Sequence, residues 1–118
     1  MKKRYRVREE RDFLALVKRG KKKESRFFKV FMRRNQCGYG RFAFVVSRNV
    51  DGRAVRRNTL RRRAREWIRT HTNLIKESYD VMTVFKKGAS QAPRKELYEE
   101  FSKQFKEFMG GARGDRRD

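Results

Sequence analysis

The sequence predicts an α+β fold in which helices cover a small sheet, and three observations lead there. Apolar residues recur at helical spacing at Phe13, Leu16 and Val17, at Leu60, Ala64, Trp67 and Ile68, and at Leu97, Phe101, Phe105 and Phe108. Three runs, "RFFKVFMRR", "RFAFVVSR" and "YDVMTVFKK", have the length and the aromatic and β-branched content of strands. The second helical segment separates the last two runs, which makes them a β-α-β unit whose sheet holds at least one crossover.

In chain order, a basic arm precedes "REERDFLALVKRG", which reads as a short helix. Acids stand in its first turn, Lys18 and Arg19 in its last, and Gly20 just past its end. "KKKES" reads as a polar loop. In the first strand, alternation puts Phe28, Val30 and Met32 on one face, as core, and Phe27, Lys29, Phe31 and Arg33 on the other. The loop "NQCGYG" leads to a second strand antiparallel to the first, and Asp51-Gly52 breaks that strand to begin the second helix. The last helix starts near Pro93, whose missing amide donor would have no partner in a first turn, and stops at Gly110-Gly111. One domain over residues 1–109 and a disordered tail over 110–118 are expected, with no internal repeat and no linker.

Charge bounds the partners. Across 118 residues, 35 Lys and Arg face 14 acids, a net of +21, and a field of that size favours a polyanionic partner. Cys37 is the single cysteine, so no internal disulfide forms, and neither zinc spacing nor a redox role is indicated; a reducing, cytoplasmic setting fits. The basic N-terminus leads into no long apolar segment, so no membrane partner and no secretion are expected.

Between Arg48 and His71 stand nine arginines and two acids. At about 100° per residue, Leu60, Ala64, Trp67, Ile68 and His71 form the stripe that faces the sheet, while Arg57, Asn58, Arg61, Arg62, Arg65 and Arg69 form an adjacent arc. Glu66 is the single acid within reach along the helix, so ion pairing does not account for the arc. Phosphates do, because the planar guanidinium fork matches their oxygens. Phe27, Lys29, Phe31 and Arg33 alternate ring and charge along one strand face, as single-stranded RNA binding uses them, although aromatic strand residues are as often core. His71, the only histidine, reads as structural, no carboxylates converge on a metal site, and neither a phosphate loop nor a nucleophile elbow is present. The chain by itself is not expected to be a catalyst.

The segment "GRAVRRNTLRRRARE", Gly52 to Glu66, resembles the signature of the protein component of bacterial ribonuclease P. "DFLALVKRG", "RFFKVFM", "RFAFVVSR", "YDVMTVFKK" and "LYEEFSKQFKEF" are similar to that family's elements in order, from about Arg8 to Met109. The resemblance implies an α-β-β-β-α-β-α two-layer sandwich with a left-handed β-α-β crossover, similar to a ribosomal-protein domain, and a further short strand near Lys21 to Ser25. It implies a 1:1 ribonucleoprotein with ribonuclease P RNA and no obligate protein partner. In it the RNA, with Mg²⁺ that it mainly binds itself, removes the 5′ leader of precursor tRNA, so the chain holds no stable cofactor and no catalytic residue.

By matching position, Arg57, Asn58, Arg61, Arg62 and Arg65 would contact the RNA subunit. Phe13, Val17 and Phe31, joined by Phe27, Lys29 and Arg33 of the same strand face, would bind the leader in a cleft between first helix and sheet. Val17 stands where many relatives carry an aromatic residue, Arg61 for a usual Lys, and Arg48-Asn49 for a usual Lys-Lys. No metal ligand is assigned. The alternatives are a ribosomal RNA-binding structural protein, a chromosome-compacting DNA protein and a self-sufficient ribonuclease.

Overall fold

A computed structural model describes residues 10–71 and 77–117, with side chains over 12–71 and 77–106. The basic arm before Glu10 and the side chain of Phe108 lie outside these residues. The elements run α1 (Glu10–Arg19), β1 (Lys21–Glu24), β2 (Phe28–Arg34), β3 (Arg41–Val45), α2 (Ala54–His71), β4 (Tyr79–Phe85), a short 3-10 turn (Ala89–Gln91) and α3 (Arg94–Arg117). This is the α-β-β-β-α-β-α order that the resemblance implies.

β1 replaces the expected polar loop "KKKES". Its four residues are all exposed, so no alternation of burial marks it in the sequence. Pairing alone defines it, from Lys21 opposite Met32 to Glu24 opposite Lys29. Lysines on such an edge discourage pairing with another chain. Ser25 turns the chain into β2: its Oγ accepts the amides of Phe27 and Phe28, each at 3.2 Å.

The sheet order is β1-β2-β4-β3. β2 and β3 do run antiparallel, but they are not neighbours: β4 lies between them, antiparallel to β2 and parallel to β3. The loop after β2 therefore closes no hairpin. Asn35 shapes it instead, accepting the Cys37 amide at 2.9 Å and donating to the Tyr39 carbonyl at 3.1 Å, while Gly38 takes φ 83°.

One sheet face carries Phe28, Val30 and Met32 of β2, Val81, Thr83 and Phe85 of β4, and Phe42 of β3, all buried beneath α2 and α3. Leu60, Ala64, Trp67 and Ile68 of α2 and Leu97, Phe101 and Phe105 of α3 complete this core, as their spacing predicts. Phe101 is its hub, its ring stacked on Phe28 at 4.7 Å and on Trp67 at 5.5 Å. α1 lies on the opposite face, where Leu16 packs on Phe31 and Met82. Pro93 caps α3 by accepting the Leu97 amide at 3.0 Å. Gly110-Gly111 does not stop this helix, which continues through Arg117. Neither glycine adopts the left-handed conformation that ends a helix, and each costs only about 1 kcal/mol relative to Ala within one.

Gly20 serves through close approach and not through a left-handed turn. A Cβ there would stand 2.5 Å from the Leu16 carbonyl oxygen and 3.1 Å from that of Met32. Gly20→Ala is expected to lower stability by roughly 1–3 kcal/mol, as overpacking does. A urea midpoint equal to that of the parent would show that the α1–β1 junction can give way.

Candidate nucleic-acid interface

α2 is started by a residue that helix periodicity does not reveal. The Asp51 carboxylate accepts the Arg53 amide at 2.9 Å, and the Arg53 carbonyl then accepts the amides of Arg56 and Arg57, each at 3.1 Å. That Arg53 amide, more than any other partner, holds the Asp51 carboxyl below the usual carboxylate range. Asp51 also pairs with the side chains of Arg53 at 3.5 Å and Arg56 at 3.8 Å. Glu66 is thus joined by a second acid at the mouth of the helix. Glu66 itself pairs with Arg69.

The arc proper is built differently. Arg57 donates to the Asp51 carbonyl at 3.0 Å, and Arg61 donates to Asn58 Oδ1 at 2.8 Å and to the Val46 carbonyl at 3.3 Å. The Arg65 guanidinium lies 5.8 Å from the centre of the Phe44 ring. The partners of Arg57 and Arg61 are neutral, so they orient these two guanidinium groups without cancelling their charge. Arg62, further round, is exposed. Val46 and Phe44 belong to β3 and its immediate continuation, so the arc borders the sheet along an edge strand.

The α1 side of the sheet reads as three rows across the strands. They are Arg33, Asp80 and Arg41; then Lys22, Phe31, Met82 and Ala43; then Glu24, Lys29, Val84 and Val45. α1 covers the first two: Asp12 pairs with Arg41 at 3.4 Å, Leu16 packs on Phe31 and Met82, and Gly20 abuts Met32. At about 100° per residue, Phe13 and Val17 turn away from the Asp12 flank toward the third row. That row stays open, with Lys29 and Val84 half-buried and Val45 exposed, and Val17 facing it 54% exposed. The result is a cleft with apolar walls and a lysine in its floor. It reaches β3 from one side of the sheet as the arginine arc reaches it from the other.

Under the first row lies an ion-pair network. Asp80 accepts Arg41 Nε and Nη2, both at 2.8 Å, and the Asn35 side-chain amide at 2.8 Å. The Asp80 hydrogen bonds raise the Arg41 pKa above its ordinary value against the opposing effect of burial, so the guanidinium stays charged.

The sequence matches the ribonuclease P family over residues 1–109. It is 38% identical over 100 residues to the ribonuclease P protein component of Thermotoga maritima, spanning 85% of this chain and 78% of that one. The chain belongs to the ribonuclease P protein family. Solved structures agree. The Staphylococcus aureus RNase P protein superposes with a TM-score of 0.78 at 25% identity, covering 86% of this chain and 93% of the other. The Thermotoga maritima protein superposes at 0.73 and 32%, covering 84% and 93%.

In this member of the ribonuclease P protein family, the residues expected at the interface are partly brought together. Arg57, Asn58, Arg61, Arg62 and Arg65 lie on one flank of α2. Phe13, Val17, Lys29 and Phe31 gather at the cleft, with Phe31 buried beneath Leu16 as floor and not as an open wall. Phe27 does not join them. It precedes β2, where alternation no longer applies, and packs against the α2/α3 core with Arg26 over its ring at 4.5 Å. Arg33 shares the face of Phe31 but stands in the Asp80 row, on the Asp12 flank of α1. His71 is exposed at the end of α2, its ring stacked on Trp67 at 5.2 Å, and not buried in the apolar stripe. Periodicity in the first strand alone missed Ala43, Val45, Met82 and Val84. The same alternation applied to β3 and β4 finds them.

Proposed function

We propose that the chain is the protein subunit of ribonuclease P, binding the RNA subunit through Arg57, Asn58, Arg61, Arg62 and Arg65. Its cleft would hold the 5′ leader of precursor tRNA against Phe13, Val17, Lys29 and Phe31. The observation that carries this reading is the meeting of arc and cleft on the two sides of β3. A folded RNA on the arginines and a single strand in the cleft would then be neighbours, and the cations would lower the repulsion between them. The open row offers apolar contact to unpaired bases while Lys29 supplies charge for their backbone.

The assembly is a 1:1 cytoplasmic ribonucleoprotein in this reading, and the chemistry belongs to the RNA. Among the described residues no three His, Cys, Asp or Glu side chains group to hold a metal ion. Asp12, Asp51 and Asp80 are taken up by arginines. In this reading Mg²⁺ is bound mainly by the RNA. No helix among the described residues is long and apolar enough to cross a membrane.

The test is cleavage of a 5′-extended precursor tRNA at low Mg²⁺ by the protein alone, by a bacterial ribonuclease P RNA alone, and by both. Cleavage at the mature 5′ end is expected in the mixture only. Folded components that give no rescue would move the assignment to ribosomal RNA binding, which has no use for a leader cleft. Cleavage by the protein alone would make it a self-sufficient ribonuclease.

A further inference from the structure

Among the described residues, α1 is held to the sheet by two unlike kinds of contact. Leu16 and Phe13 pack on Phe31 and Met82, and such apolar contacts are non-directional: they resist separation better than rotation in the plane. Gly20 fixes only the C-terminal end of α1, where it abuts the Leu16 and Met32 carbonyls. Asp12 stands eight residues earlier, roughly 12 Å along the helix. There its carboxylate meets Arg41 Nη2 at 3.4 Å. Arg41 cannot follow a moving helix, because its Nε and Nη2 are both committed to Asp80 at 2.8 Å, and Asp80 is tied in turn to Asn35.

We propose that Asp12 is a positioning residue: by latching the N-terminal end of α1 to the fixed Arg41, it sets the width of the cleft between Phe13 and Val17 on one side and Lys29 and Val84 on the other. Without the latch α1 pivots about Gly20, and the cleft opens where Phe13 stands. The inference rests on the cleft's proposed role in leader binding. Its sign separates it from a plain charge effect. Asp12→Asn removes one negative charge from a chain of net +21, which should tighten binding of every RNA, whereas loss of the latch weakens only the substrate that carries a leader.

The test uses the protein reconstituted with ribonuclease P RNA, below its unfolding transition, and compares affinities for precursor and mature tRNA. Asp12→Asn and Arg41→Lys are made singly and together. Each single variant is expected to lower the preference for precursor by about three- to fivefold, the range of a partly exposed ion pair. The double variant should fall no further than the worse single one, because both break the same ion pair. Affinity for the RNA subunit should stay level or rise. Lys29→Ala serves as the reference for the cleft itself. A preference that falls in Lys29→Ala but not in Asp12→Asn overturns the latch, as do single effects that simply add. If neither variant changes it, the leader-binding reading fails and the latch with it.

Discussion

Replacing both Arg61 and Arg65 with Ala is expected to weaken binding of the RNA subunit by at least about a hundredfold, since hydrogen bonds to charged groups contribute roughly 1.5–3 kcal/mol each. The slope of log affinity against log salt should flatten by about 2, one unit for each phosphate no longer neutralised. Both arginines are aimed before RNA arrives, Arg61 by Asn58 and the Val46 carbonyl and Arg65 by the Phe44 ring. Their removal therefore takes away oriented donors as well as charge. Affinity titrated at several salt concentrations checks this. An unchanged slope would remove this flank of α2 from the interface, whatever happened to affinity at one salt.

Phe101→Ala is expected to cost about 3–5 kcal/mol, much of the stability of a domain this size. Phe101 is fully buried, stacks on Phe28 and Trp67, and meets Phe85 edge-on at 6.3 Å, so one ring joins α3, α2, β2 and β4. Its removal leaves a cavity lined by rigid rings that cannot collapse into it. Thermal or urea unfolding reads the destabilisation directly. Added RNA subunit should recover part of it, because a ligand of the folded state shifts the equilibrium toward that state. A cost below about 1 kcal/mol would mean that the aromatic cluster repacks around the gap and that Phe101 is not its keystone.

What the sequence disclosed depended on whether the signal was local. The stripe Leu60, Ala64, Trp67 and Ile68, the stripe Leu97, Phe101 and Phe105, and the even-numbered face of β2 are local patterns, and each is buried as periodicity requires. β1 has no such pattern, because an edge strand of lysines buries neither face; it came only from the family resemblance. The insertion of β4 between β2 and β3 is a non-local choice that no run of residues encodes. Asp80 was the missed clue. An acid inside the apolar run "YDVMTVF" must find partners if buried, and those partners, Arg41 and Asn35, lie on other segments. Phe27 shows the opposite error: alternation was carried one residue past the end of a strand, into a turn governed by Ser25.

The strand order also dictates how the molecule can be made. β2 and β3 leave the ribosome early but share no ladder, and the segment that joins them, Tyr79–Phe85, is synthesised only after all of α2. Until then Met82 is missing from the layer under α1, and Val81 and Thr83 from the layer under α2. A nascent chain stopped before β4 holds the residues of its β1–β2 ladder but lacks the strand that joins β2 to β3. Both cores wait on long-range pairing, which is slow to find and leaves apolar strands uncovered meanwhile. Through that interval the dense positive charge keeps unfinished chains apart from one another.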